Sequence, residues 1–272
     1  MGARVAIFIL LIFAVYPGVA GIGGDSGTSL DSYVRLFLKD DNTEAKDAAV
    51  LKSFLKSLEK KNTRTQVYFL QHLFSRTHNK FLKEYDRSAT FGETITTGKY
   101  NCLTGVTLYS ILLKELGFNF RILETNYHIF LLIEMHDNRL ALFETTDPVH
   151  GFSTDQNDIK KRVSLYTGGQ LTAAETSRNF YQYETSVYQE VSMRQLRGLL
   201  YYNYAVNAYN RHDLPAAINY FAKGLEFYQS SRTDEFFVLI SSALDQSGLD
   251  ALMKNEYRNT LDASVSKYDG NL

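Results

Sequence analysis

The chain has 272 residues, enough for one large domain or two modest ones. Its hydrophobic fraction of 44% suits a folded protein with a real core, and its aromatics are all Tyr and Phe, with no Trp. A formal net charge of −1 removes any broad electrostatic case for nucleic acid or an anionic membrane surface as partner.

The first 20 residues stand apart. Arg4 precedes an apolar run from Val5 to Val15, Pro17 breaks it, and Gly18, Val19 and Ala20 follow. This is the layout of a secretory signal peptide cleaved after Ala20. The other reading, an N-terminal membrane anchor, meets a run short for a span of ~20 residues. The expectation is an exported protein, periplasmic or extracellular, with no stable membrane span after signal cleavage. Residues 21–44, opening on "GIGGDSGTS", read as a flexible leader. Export normally means an oxidising compartment in which cysteines pair. Here there is a single cysteine, Cys102, and an unpaired thiol in an exported chain points to reactivity.

Residues 45–190 read as the first domain. Leu51, Phe54, Leu55 and Leu58 share one helical face, and Val67, Leu70, Phe74, Phe81 and Tyr85 continue the helical signal. "RSATFGETITTGKY" reads as loop, punctuated by Gly92 and Gly98. Cys102, Val106, Tyr109, Leu113 and Leu116 then recur at helical spacing, with Leu108, Ile111 and Leu112 on a second side. A helix apolar over so much of its surface is buried. Asn101 is a strong N-cap, which puts Cys102 in the first turn, and Gly117 is a good C-terminal stop. Three strand-like runs follow: Phe120 to Thr125, His128 to Met135 and Arg139 to Thr146. Gly151 to Glu190 is polar, with scattered Tyr and a weak pattern.

From Val191 the chain turns helical again, and residues 191–262 read as a second, all-helical domain. Tyr201, Ala205, Leu214, Ala217, Phe221 and Gly224 follow the spacing of a tetratricopeptide repeat, with Tyr201 and Ala205 in place of the usual Trp and first Gly. Its tyrosines suit capture of a protein partner. Residues 263–272 read as a loose tail. The expected fold class is α+β.

A Cys in the first turn of a buried helix has one activating element, since helix N-termini lower thiol pKa. It then needs a base, and the base needs an orienting group. A hairpin turn centred between Asp137 and Asn138 would set His128 opposite Asp147, on the same face with Cβ atoms ~5 Å apart. Glu144 would then point to the other face, in a structural or supporting role. A lone Cys in an apolar helix is normally inert core, a lone His opening a strand is structural, and an Asp before Pro is a turn residue. Taken together, with Cys102 the only cysteine, the three favour a nucleophile, base and orienter.

"GKYNCLTGVTLYSILLKELG", His128 at the head of a strand, and "FETTDP" together resemble the transglutaminase-like branch of the papain-like cysteine enzymes. The resemblance covers Lys99 to Pro148 and extends more loosely over Gln66 to Gly98, where "HNKFLKEY" is similar to exported bacterial versions. It implies a central Cys-bearing helix packed on an antiparallel sheet, with Cys102 as nucleophile, His128 as base then acid, and Asp147 as orienter. One oxyanion donor would be the Cys102 backbone N–H, with Gln66 and Asn101 as candidates for the second. Animal crosslinking transglutaminases carry Trp directly after the nucleophile. This chain has Leu103 there, so hydrolysis of a peptide or protein amide is expected over crosslinking.

No cofactor is expected. His72 and His78 lack metal-ligand spacing, and there is no HExxH or Cys/His cluster. His78 shares the stripe of Phe74, Phe81 and Tyr85, which makes it a core or cleft-wall histidine. The alternative of a different class is a catalytically silent scaffold that keeps the fold for shape and recognises a peptide or protein.

Overall fold

The computed structural model describes residues 30–38, 44–59, 65–125, 128–167 and 188–269. The signal-peptide reading of residues 1–20 therefore falls outside the described residues. No helix among the described residues is long and apolar enough to cross a membrane.

The structure is α+β, built on a five-stranded, fully antiparallel sheet. Helices α1 (Leu30–Leu38), α2 (Glu44–Glu59) and α3 (Gln66–Phe81) come first. The short strands β1 (Glu84–Tyr85) and β2 (Lys99–Tyr100) pair in parallel around α4 (Phe91–Thr96). Helix α5 (Cys102–Glu115) leads into β3 (Phe120–Thr125), β4 (Ile129–Glu134), β5 (Leu140–Phe143) and β6 (Phe152–Ser153). After α6 (Gln156–Thr167) and β7 (Tyr188–Val191), four helices close the chain: α7 (Met193–Asn210), α8 (Leu214–Leu225), α9 (Ser231–Gln246) and α10 (Ala251–Asp269). The sheet order is β6-β5-β4-β3-β7.

Both faces of this sheet are covered, which explains why β4 reads "IFLLIE" rather than alternating. Ile129, Leu131, Ile133, Ala141 and Phe143 join the main core with α5. Phe130, Leu132 and Leu142 point the other way, onto Ile159, Val163 and Tyr166 of α6. Helix α5 is buried from Leu103 to Leu113, and the Tyr109 hydroxyl in its middle donates to the Phe74 carbonyl at 2.7 Å. Gly117 ends it at φ 75°, where the Gly117 and Phe118 amides bond back to the Lys114 and Leu113 carbonyls. That paired pattern needs a left-handed residue, which glycine supplies without steric cost.

Four sequence expectations are corrected. The leader contains a helix: Leu30, Val34 and Leu38 of α1, four residues apart, are buried in the main core. The "loop" before the cysteine contains α4, started by a reciprocal Thr90–Glu93 capping box, a signal present in the sequence as T-x-x-E. The weakly patterned stretch after Gly151 supplies α6 and β7, and β7 adds to the sheet beside β3. The tail is helical through Asp269, with Ser264 buried and Val265 packed on the second core.

Helices α7 to α10 enclose that second core around Ala205, Ala217, Phe221, Phe236, Ile240 and Leu261. A buried polar network fixes them to the sheet. Glu124 on β3 pairs with Arg232 on α9 at 2.7 Å and accepts from the Tyr228 hydroxyl at 2.7 Å and from Gln189 Nε2 on β7 at 2.9 Å. Arg232 also donates to the Thr125 carbonyl at 2.9 Å.

Candidate active site

Asn101 caps α5 with a reciprocal box: its Oδ1 accepts from the Thr104 amide at 2.9 Å, and Thr104 Oγ1 accepts from the Asn101 amide at 3.0 Å. Such a cap contributes about 1 kcal/mol. It sets Cys102 at the first helical position, where the thiol is partly exposed rather than sealed in the core. The first-turn amides of Cys102 and Leu103 have no acceptor within the helix.

His128 sits one residue ahead of β4. Its carbonyl accepts from the Thr125 amide at 2.8 Å and from Thr125 Oγ1 at 3.1 Å. The ring packs against Tyr166 and Phe130, at centroid distances of 5.0 and 6.2 Å. Its Nε2 bonds to Glu144 Oε2. The Cys102 side chain lies near enough to the ring to favour its charged form. With Nε2 committed to Glu144, Nδ1 is the ring nitrogen left to meet it. Burial acts against a charged ring, but the influence of Cys102 and the bond and charge of Glu144 outweigh it and hold the imidazolium up to about 10.

Glu144 follows β5 and is buried. Burial alone would raise its pKa. The His128 bond and charge, and bonds from Thr146, hold it below its usual value, so it is a carboxylate at neutral pH. Its second oxygen, Oε1, accepts from the Thr146 amide at 3.0 Å and from Thr146 Oγ1 at 2.6 Å. Burial, then the nearby Glu144 charge, raise the Tyr166 pKa, so that phenol stays protonated.

The chain thus brings Cys102 and His128 together, as the sequence suggested, but the carboxylate is Glu144 and not Asp147. The hairpin register explains the exchange. Leu132 pairs with Leu142 and Glu134 with Leu140, one residue away from the register that a two-residue turn would give. The turn is a three-residue loop, His136–Asp137–Asn138, closed by the Met135 amide on the Arg139 carbonyl at 2.9 Å, with Asn138 at φ 62°. A one-residue change of register reverses every side chain. Glu144 therefore comes to the His128 face, diagonal across the pair of strands.

Asp147 instead builds the turn that carries Glu144. Its Oδ1 accepts from the Val149 and His150 amides at 3.0 and 2.8 Å, and its carbonyl accepts from the Gly151 amide at 2.9 Å. Neither candidate for the second oxyanion donor is available. Both amide hydrogens of Asn101 are spent on the Arg87 and Ala89 carbonyls, each at 3.1 Å. Gln66 binds the His136 amide at the hairpin tip, eight residues from His128 and about 26 Å away along an extended strand.

His78 is buried against the site. Its Nε2 donates to the Thr145 carbonyl at 3.1 Å, and Thr145 Oγ1 donates to the Cys102 carbonyl at 3.3 Å. Burial lowers the His78 pKa, against smaller upward pulls from the Thr145 bond and Asp147, so the ring is a neutral strut between α3, the turn and α5. Among the described residues no group of three or more His, Cys, Asp or Glu side chains is placed to hold a metal ion. Compared with known proteins, the chain matches no family model, no curated protein and no solved structure.

Proposed function

We propose that this protein is a thiol enzyme that transfers the acyl group of a peptide or protein amide to water. The observation that carries this reading is His128 bonded to the Glu144 carboxylate and set near the Cys102 side chain, with that cysteine at a helix start and only partly buried. An imidazolium favoured at neutral pH is the partner a thiolate needs. The sulfur attacks the amide carbonyl carbon, and the oxyanion develops towards the Cys102 and Leu103 amides. His128 Nδ1–H gives its proton to the leaving amine as the C–N bond breaks, which leaves a thioester. Neutral His128 then takes a proton from water as the hydroxyl adds to the thioester, and the C–S bond breaks to release the acid and restore the thiolate. Glu144 keeps the ring oriented throughout and stabilises its charged form.

The order Cys, His, acid along the chain, at a helix start and at the ends of two adjacent strands, supports membership of the transglutaminase-like class, with Glu144 in the acid's place. Leu103 in the position of the crosslinking enzymes' Trp supports hydrolysis over amine transfer. The apolar run near the N-terminus supports export, so the substrates would be extracytoplasmic peptides or cell-wall amides. The C-terminal helices, with their repeat-like spacing, would supply part of the substrate- or partner-binding surface.

Incubation with a peptide library plus excess labelled primary amine tests the proposal. Cleaved or deamidated peptides that vanish in Cys102→Ala are the expected result. Amine adducts as the major product would show that water is excluded as acceptor. No Cys102-dependent change across a broad library would leave a binding scaffold.

A further inference from the structure

We infer that Arg232, on the helical unit, is a positioning residue for the base His128, so that the active site is completed from the far end of the chain. The inference rests on the proposed role of His128. Its basis is the Thr125 peptide, which has two ties. The Thr125 amide and hydroxyl donate to the His128 carbonyl at 2.8 and 3.1 Å, and the Thr125 carbonyl accepts from Arg232 Nη2 at 2.9 Å.

Arg232 reaches Thr125 only because it is itself held. Its Nη1 lies 2.7 Å from Glu124 Oε1, and its guanidinium lies 6.0 Å from the Tyr202 ring. Glu124 is fixed in turn by Tyr228 and Gln189. The guanidinium fork binds the side chain of one β3 residue and the backbone of the next, which a single ammonium cannot reproduce. Both partners are buried: Arg232 is 8% exposed and Glu124 2%.

The placement matters because Thr125 is the last residue of β3 and His128 precedes the first of β4. The ladder between the two strands ends with Glu124 opposite Ile129. Beyond it, the Thr125–His128 bonds hold the His128 backbone, and α9 holds Thr125. The titratable groups that face the His128 ring are Cys102, Glu144 and Tyr166. Small displacements of a catalytic group lower rates steeply.

The experiment measures the rate of iodoacetamide labelling of Cys102 against pH in the full-length chain, so no substrate need be known. The proteins are wild type, Arg232→Gln, Arg232→Lys, His128→Ala, and Lys267→Ala as a control on the same helical unit. Arg232→Lys keeps a charge against Glu124 and so guards against a variant that fails to fold. Both Arg232 variants are expected to raise the labelling inflection by about one pH unit and slow labelling at neutral pH by up to about tenfold. Circular dichroism should be unchanged in Arg232→Lys, and Lys267→Ala should match wild type. Wild-type profiles in both Arg232 variants, alongside a shifted His128→Ala, would overturn the inference and leave the base assignment standing. A wild-type profile in His128→Ala would overturn the base assignment and the inference with it.

Discussion

Glu144 binds His128 with one carboxylate oxygen and Thr146 with the other, so the acid that orients the imidazole is itself locked in place. The lock is a tight turn folded back on Gly151, whose carbonyl accepts from the Glu144 amide at 2.8 Å. Orientation of the imidazole therefore rests on a backbone turn as well as on side-chain contacts.

The first prediction separates the two nearby acids. Glu144→Gln keeps the shape but removes the charge that supports the imidazolium, and should lower Cys102-dependent turnover about a hundredfold or more. It should also move the labelling inflection of Cys102 upward. Asp147→Asn keeps the acceptor that serves the Val149 and His150 amides, so turnover should stay within about threefold of wild type. Steady-state rates decide it; equal losses in the two variants would give Asp147 a direct role.

A second prediction concerns pH and stability. His128 has its folded pKa raised from 6.5 to about 10, so its contribution is fully present below 6.5 and lost as pH rises through about 10. Glu144 has its folded pKa lowered from 4.5, so its contribution is present above 4.5 and lost as pH falls. Urea denaturation of wild type and His128→Ala should therefore differ most between pH 4.5 and 6.5, and least near pH 10. Taking the difference removes the buried tyrosines, which destabilise the fold at high pH in both proteins. A difference that grows with pH would contradict the ion pair.

Gly151→Ala provides a third. A Cβ there would lie 2.1 Å from the Glu144 carbonyl oxygen, 2.2 Å from that of Asp147 and 2.7 Å from the Phe74 ring. Two of the three are backbone, so the turn must open. The expected loss is about 2–4 kcal/mol in a chemical melt, together with loss of turnover, because the turn carries Glu144. Wild-type stability in this variant would mean that the turn is looser than its hydrogen bonds indicate.

A chain ending at Glu190 should not fold into a soluble domain, the fourth prediction. It would cut β7 short and leave the buried Glu124 without Arg232 and Tyr228, and an uncompensated buried charge costs about 3–5 kcal/mol. Limited proteolysis and light scattering would show it; a monodisperse, protease-resistant fragment would show that the helical unit is a separable module.

The elements legible in the sequence were those whose signal is local. The buried helix from Cys102, its Asn101 cap and Gly117 stop, and β3 could be read directly, because periodicity and capping chemistry suffice for them. The hairpin could be located but not registered. "HDNR" supports both a two-residue turn and a three-residue loop, since Asn138 tolerates the left-handed region either way, and that single residue decided whether Asp147 or Glu144 faced His128. Helix α6 is hard to read because its apolar contacts with the sheet are Ile159, Val163 and Tyr166, too few to stand out in a polar stretch. The Glu124–Arg232 pair leaves no trace in local pattern, because its members meet only through tertiary packing.

The bond between Arg232 and Thr125 joins residues 107 apart in the chain. During synthesis at ~5–20 residues per second, roughly 5–20 s separate the emergence of the two. Throughout that interval the nucleophile's own helix is complete, yet the strand beside its base lacks the arginine that anchors it. On the inferred role of Arg232, a chain of that length would carry the thiol without a properly seated imidazole. Under the proposed function, chemistry would wait for α9 to emerge.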